Sequence, residues 1–213
     1  MSEFSPLGDS AITMIVGEGI SVELSDLVAA RARAIAAERI AGVNDVVPSY
    51  ASVTIHYDPS IIEYRELHGR LIDVIESELG HPVAQTSPVE HLIPVRYDGD
   101  DLDYVALQTR LSRDEVIEIH AAAMYRVFVI GFVPGFAYLG PLDQRLVLPR
   151  RESPRKRVPA GSVAIAEAQT GVYPSETPGG WHLIGTTETR MFDPNRPSPS
   201  LLAAGDRVRF EAV

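Results

Sequence analysis

The 213-residue sequence predicts an α+β fold in two parts, a layered N-terminal unit over residues 1–88 and a β-rich unit over residues 89–213. Three observations carry that expectation. Strand and helix patterns alternate through the first ninety or so residues. A sharply capped helix follows near residue 113. Composition then shifts, with 10 of the 16 prolines and 8 of the 16 glycines falling between Gly131 and Pro199.

Residues 11–16 form a nearly continuous apolar run between Gly8 and Gly17, which suits a strand buried on both faces. Ser21 is placed to cap the next helix. Its stripe is Leu24, Leu27, Val28, Ala32 and Ile35, it runs to about Ile40, and Gly42 lies just past its end. Two strands follow, 43–47 and 52–57, joined by a turn at Pro48 and Ser49. In the second, Val53, Ile55 and Tyr57 face one way while Thr54 and His56 face the other, so one side is expected to be wet. Tyr64, Leu67, Leu71, Val74, Ile75 and Leu79 recur at helical spacing, and Gly80 and Pro82 stop the helix. A strand at 91–95 completes the order βαββαβ, the ferredoxin-like pattern. Residues 97–123 read as helical. There Ser112 and Glu115 form a capping box, with Leu111 and Val116 at the staple positions, and predict a helix over 113–122. An apolar strand over 125–132 follows. Short apolar runs such as 146–148, 163–166 and 182–184, set between Gly/Pro turns, then predict a closed β-barrel or a sandwich. Val208 and Phe210 alternate with charges in a last, half-exposed strand.

Bulk chemistry excludes several functions. A net charge of -10 argues against nucleic acid as the main partner, because such binding rests on Lys and Arg neutralising phosphates. With no long apolar stretch and a polar start lacking cations, the chain is expected to be soluble and cytoplasmic, with no membrane role. The absence of cysteine removes disulfides, thiolate nucleophiles and cysteine metal sites. The glycine spacing from Gly135 to Gly140 evokes a phosphate loop, but Pro141 and Leu142 stand where Lys and Ser or Thr are required. Asp98, Asp100, Asp101 and Asp103 invite a calcium reading, yet the EF-hand glycine and terminal acid are missing, and a solvated turn with a helix cap is expected instead. Ser162 lies in Ala-Gly-Ser-Val-Ala, which is not a nucleophile elbow. Histidines 56, 68, 81, 91, 120 and 182 show no metal-pair spacing, so no metal is expected. One charge feature remains. Arg145, Arg150, Arg151, Arg155, Lys156 and Arg157 oppose only Glu152, and read either as a solvated loop or as an anion site.

Four segments form an ordered set: Gly131-Phe-Val-Pro-Gly-Phe-Ala-Tyr-Leu-Gly140, Pro154-Arg-Lys-Arg-Val-Pro-Ala-Gly-Ser-Val163, Gln169-Thr-Gly-Val-Tyr-Pro174 and Thr177-Pro-Gly-Gly-Trp-His-Leu-Ile-Gly185. With them the chain resembles, almost end to end, the family containing the 5-oxoprolinase B subunit, allophanate hydrolase subunit 1 and the sporulation-kinase inhibitor of bacilli. Three positions depart from its pattern: Ala137 for proline, Glu167 for glycine and His182 for glutamine. The resemblance implies a cyclophilin-like β-barrel for the second half. It implies pairing with a larger homologous subunit, of the 5-oxoprolinase C or allophanate hydrolase subunit 2 type, and in the oxoprolinase branch with the 5-oxoprolinase A component as well. Together these would open 5-oxoproline, a small amide, to glutamate with ATP bound by the complex, and this chain would be inactive alone. On that reading Arg155, Arg157 and His182 are the expected catalytic groups. Lys156, Ser162, Gln169 and Tyr173 are expected to bind substrate or partner, Gly135, Gly179 and Gly180 to permit close backbone approach, and Phe136, Tyr138 and Trp181 to form an apolar wall. Two alternatives stay open: a carboxyltransferase subunit of the allophanate hydrolase or urea carboxylase type, and a non-catalytic inhibitor of a histidine kinase. Biotin is not carried by this chain, whose single lysine, Lys156, is not in a Met-Lys-Met motif.

Overall fold

The computed structural model describes residues 3–80 and 88–213, without the side chains of residues 78–80. His81 and the helix-stopping Pro82 lie outside the described residues, as does the side chain of Leu79. The chain divides into two compact units, residues 1–87 and 88–213.

In the first unit, strands β1 (Glu3–Pro6), β2 (Ala11–Ile15), β3 (Val43–Pro48) and β4 (Ser52–Tyr57) pair antiparallel in the order β1-β2-β4-β3. Helix α1 (Val22–Ala37) begins where the Ser21 hydroxyl accepts from the Leu24 amide at 3.1 Å. Helix α2 (Tyr64–Gly80) follows β4. Val28, Ala32 and Ile35 of α1 and Leu67, Leu71 and Ile75 of α2 pack on Ile12, Met14, Val53, Ile55 and Tyr57. The helical period of 3.6 thus meets the strand period of 2 in one core. Leu27, expected in the stripe, is exposed, and so is Ile15. The helices therefore fill one face of this sheet, and β2 is not buried on both sides.

The ferredoxin-like expectation needs correction. Glu90–Val95 (β5) is not the sixth element of this sheet, because it pairs parallel with the last strand of the second unit, from Arg207↔Glu90 to Ala212↔Val95. Ile93 and Val95 are drawn into that unit's core, and Pro94, which lacks an N–H, is tolerated on a strand with one laddered neighbour. β1 borders β2 instead. Its sequence, Glu-Phe-Ser-Pro, carries too little apolar alternation to announce a strand.

The second unit contains α3 (Leu102–Thr109), α4 (Arg113–Ala122), β6 (Tyr125–Ile130), β7 (Ala137–Gly140), β8 (Arg155–Val158), β9 (Ser162–Ala166), β10 (Gln169–Val172), β11 (Thr177–Gly179), β12 (His182–Thr186) and β13 (Arg207–Ala212). The capping box forms as expected: the Ser112 hydroxyl accepts from the Glu115 amide, and the Glu115 carboxylate accepts from the Ser112 amide at 2.7 Å. Seven strands make one sheet in the order β12-β9-β10-β7-β6-β13-β5. Arg96 and Thr186 then exchange backbone hydrogen bonds of 2.9 and 2.8 Å, joining the two ends into a nearly closed barrel. Gly185 makes that seam possible, since a Cβ there would stand 2.5 Å from the Arg96 carbonyl. β8 and β11 form a separate two-stranded ribbon.

The barrel interior is apolar except for one polar chain. Val127, Leu139, Val163, Ile165, Ile184 and Phe210 surround it, with Leu102, Val105 and Val116 from the helices. The Thr170 hydroxyl donates to the Ala164 carbonyl at 3.0 Å, so it accepts from His120 Nε2 at 2.8 Å, and His120 Nδ1 accepts from the Tyr97 hydroxyl at 2.7 Å. Every member is satisfied. Burial pushes the His120 pKa down from 6.5 to about 3, so the ring is neutral, while the unfolded chain binds a proton there below about pH 6.5. The stability this group supports is complete above pH 6.5 and is lost as pH falls toward 3. Between pH 6.5 and 5, urea unfolding is expected to lose up to about 1.4 kcal/mol per pH unit from this one proton. A His120→Gln variant should show a flatter slope, and an unchanged slope would refute the assignment.

Candidate functional site

A second, smaller core lies on the outer face of the barrel. β9 turns Val163 and Ile165 inward, which leaves Ala164 and Ala166 as a shallow floor outside. Phe136, Val158, Tyr173, Trp181 and Leu183 cover that floor, with Tyr138 partly buried beside them. The rings meet edge to face: Phe136 lies 4.9 Å from Tyr138, 5.2 Å from Tyr173 and 5.4 Å from Trp181. Gly171 lets them close in, because a Cβ there would lie 2.8 Å from the Ala137 carbonyl and 3.1 Å from Phe136. Burial raises the pKa of both Tyr138 and Tyr173, so both phenols are protonated near neutrality.

The turn that delivers Phe136 is tightly built. The Val133 amide bonds the Gly131 carbonyl at 2.8 Å across Phe132, whose φ is +69°, a γ-turn of the strained hand. The Phe136 amide then bonds the Val133 carbonyl, with Pro134 and Gly135 (φ +82°) at the central positions of a type II turn. Gly135 also abuts Phe192, whose Cβ would be 2.6 Å from a Cβ at 135. Gly140 ends β7 and packs on Phe128 and the Ala168 carbonyl. The 135–140 spacing is thus turn and strand geometry, not a phosphate cradle.

Beside this patch stands a buried carboxylate. Asp101 accepts from Arg155 through two guanidinium nitrogens at 2.8 Å each, from Arg151 at 2.7 Å and from the Leu183 amide at 2.7 Å. Burial alone would raise its pKa, but the Arg155 bond, the Leu183 amide and the charges of Arg155 and Arg151 outweigh this and hold it below the usual carboxylate value. Arg155, an expected catalytic residue, therefore has its fork committed to a structural clamp. Arg157 is exposed and paired with both oxygens of Glu176 at 2.9 Å, and Arg145 is likewise locked to Asp143. Lys156 is exposed. His182, also expected to be catalytic, is buried against Tyr104 at 5.2 Å and donates from Nε2 to the Pro149 carbonyl at 2.9 Å. Its Nδ1 has no hydrogen-bond partner among the described residues.

The patch thus unites Phe136, Tyr138, Tyr173 and Trp181, while Gly179 runs under Tyr173. A Cβ placed on Gly180 would have its nearest neighbour 3.7 Å away, so space does not force glycine there. Ser162 and Gln169 are buried in β9 and β10. A groove of about 290 Å³ at the barrel seam, lined by Pro94, Arg96, residues 186–189 and Val213, contains none of the expected site residues. Among the described residues, no His, Cys, Asp and Glu side chains gather as a metal site, and no helix is long and apolar enough to cross a membrane. Sequence reasoning named Arg150 only within the cationic stretch, Glu167 only as a departure from the family pattern, and Asp101 only within an acidic loop. Asp101 was expected to serve a solvated turn and helix cap, a job its side chain does not perform, since its partners lie fifty or more residues away.

The profile of the family described as carboxyltransferase domain, subdomain C and D, matches residues 2–202. The chain belongs to this family. Within it, the chain is 38% identical to the 5-oxoprolinase B subunit of Bacillus subtilis (strain 168) over a 229-residue alignment covering 99% of this chain and 92% of that protein. It is 38% identical to the 5-oxoprolinase B subunit of Haemophilus influenzae over 96% of this chain and 95% of that one. Among solved structures, TTHA0988 superposes with a TM-score of 0.85 at 39% identity, covering 95% of this chain, which spans 40% of that chain. The Kluyveromyces lactis urea carboxylase shares the fold, with a TM-score of 0.76 at 21% identity, over 100% of this chain and 22% of that one.

Glu167, expected to depart from the family pattern, has a distinctive local geometry. Glu167 and Ala168 form the two-residue turn between β9 and β10, and Glu167 holds φ +52°, where a side chain is strained and glycine is at ease. Its amide bonds the Leu148 carbonyl at 2.6 Å, and its carboxylate lies 3.5 Å from Arg150, both side chains being more than half exposed. Such a pair adds little. Glu167→Gly is expected to stabilise the protein by about 0.5–1 kcal/mol in chemical unfolding. Destabilisation would show that the Arg150 pair outweighs the strain.

Proposed function

We propose that this chain is the small subunit of an ATP-dependent 5-oxoprolinase complex that hydrolyses 5-oxoproline to glutamate together with partner subunits. The observation that carries this reading is similarity along nearly the whole of both chains to two proteins named as the B component of 5-oxoprolinase. The architecture supports a composite site. The chain offers an aromatic patch with polar edges, whereas His120 and His182 are both buried, with Nε2 of each hydrogen-bonded within the chain. The missing reactive groups would come from a larger homologous subunit and from a third subunit.

An unstrained lactam is a poor electrophile, and phosphoryl transfer from ATP turns its oxygen into a leaving group. The glycine-spaced segment of this chain is a pair of turns and a strand and offers no phosphate loop. On this reading ATP belongs to the complex, with the patch of this subunit orienting the ring and excluding water. A second reading, carboxyl transfer from carboxybiotin supplied by another protein, draws on the family's own description.

Co-expression with the two partner subunits is expected to yield a stable complex that releases glutamate from 5-oxoproline only with ATP, while the isolated chain is inactive. Full activity of the isolated chain, or subunits that elute separately at micromolar concentration, would contradict the proposal. Carboxylation of urea by the same complex with carboxybiotin would select the second reading.

A further inference from the structure

The cationic stretch over residues 145–157 sorts itself by partner. Arg145 is held by Asp143, Arg151 and Arg155 by Asp101, and Arg157 by Glu176, all with nitrogen–oxygen distances of 2.7–2.9 Å. Arg150 is different. Among the described residues it is ion-paired with Glu167, which approaches only to 3.5 Å, through Nε, and 57% of the Arg150 side chain is exposed. Lys156 is also exposed, but an ammonium lacks the planar fork that grips a carboxylate with two parallel bonds.

Arg150 also borders the aromatic patch, and unlike Arg151 and Arg155 beside it, it is not held by Asp101. It follows Pro149, whose carbonyl receives His182 next to Trp181. Two residues before it, the Leu148 carbonyl ties the segment to the β9–β10 turn, and the Ala168 carbonyl ties that turn to Leu142, just beyond the end of β7. β7 carries Tyr138, and β10 leads into Tyr173. The charge of Arg150 opposes the upward push of burial on both phenols, and that of Arg155 does so on Tyr173. A flat amide ring lying on Tyr138 would thus have a fork at its edge. The counter-ion there is held on a strained backbone, where strain often marks a working residue.

We propose that Arg150 is the specificity residue that receives the carboxylate of a small cyclic-amide acid at the Phe136–Tyr138–Tyr173–Trp181 patch, and that Glu167 is the counter-ion this carboxylate displaces. The assignment rests on the 5-oxoprolinase reading, in which the substrate carries one carboxylate beside its lactam. Binding exchanges one loose, exposed ion pair for a two-bond one, and no covalent step is involved. Glu167 also sets the threshold: a carboxylate must compete with it, so a neutral amide gains nothing from Arg150.

The test is steady-state kinetics of the assembled complex with 5-oxoproline and saturating ATP. Arg150→Ala should raise KM at least about tenfold with kcat within about threefold, the signature of lost ground-state binding, and Arg150→Lys should fall between. Glu167→Gln should lower KM, and that gain should vanish in the Arg150→Ala background. A KM for Arg150→Ala within twofold of the unmodified complex would overturn the assignment while leaving the 5-oxoprolinase reading intact. An unmodified complex with no turnover of 5-oxoproline would overturn that reading, and the carboxylate assignment with it.

Discussion

The second unit depends on one buried carboxylate. Asp101 joins three pieces of chain that are distant in sequence: the start of α3, the segment carrying Arg151 and Arg155, and β12 through the Leu183 amide. The Asp101 amide returns a bond to the Leu183 carbonyl at 2.9 Å, and the Arg151 amide bonds the Gly180 carbonyl at 2.8 Å. Trp181 and Leu183 are thereby pinned from both sides, and they are two of the residues that cover the outer floor of the barrel. Burying an unpaired charge is far more costly than burying a paired one, so removing either side of such a cluster typically costs about 3–5 kcal/mol.

This clamp changes the meaning of the local charge. A stretch with five excess positive charges looks from the sequence like a free anion site. In the fold most of those charges are spent on intramolecular partners, and the carboxylates that meet them lie up to 54 residues away. Arg155 and Arg150 both act on Tyr173, but only Arg150, whose partner is loose, keeps its fork uncommitted.

Much of the fold was legible because its signals are local. The capping box at Ser112 and Glu115, the stripes of α1 and α2, and the alternation of β4 and β13 each follow from residues within one or two turns of one another. Strand partnership was less legible. Nothing within Glu90–Val95 says that its neighbour is Arg207–Ala212, and a weak strand such as Glu3–Pro6 exists because an edge of the sheet accepts it. Of the site, the aromatic residues were readable as a set, since the motif carrying them converges on one face. The partners of Arg155 and His182 were not, because a guanidinium or an imidazole reads the same whether it faces solvent or closes a buried hydrogen bond.

The most direct measurement is chemical unfolding of an Asp101→Asn variant followed by the fluorescence of Trp181, the sole tryptophan. The substitution keeps the shape and removes the charge that two guanidinium groups share. A clamp of this kind predicts a loss of about 3–5 kcal/mol and a changed native emission as the outer patch loosens. Unfolding within about 1 kcal/mol of the unmodified protein, with the native spectrum intact, would show that the patch stands without it.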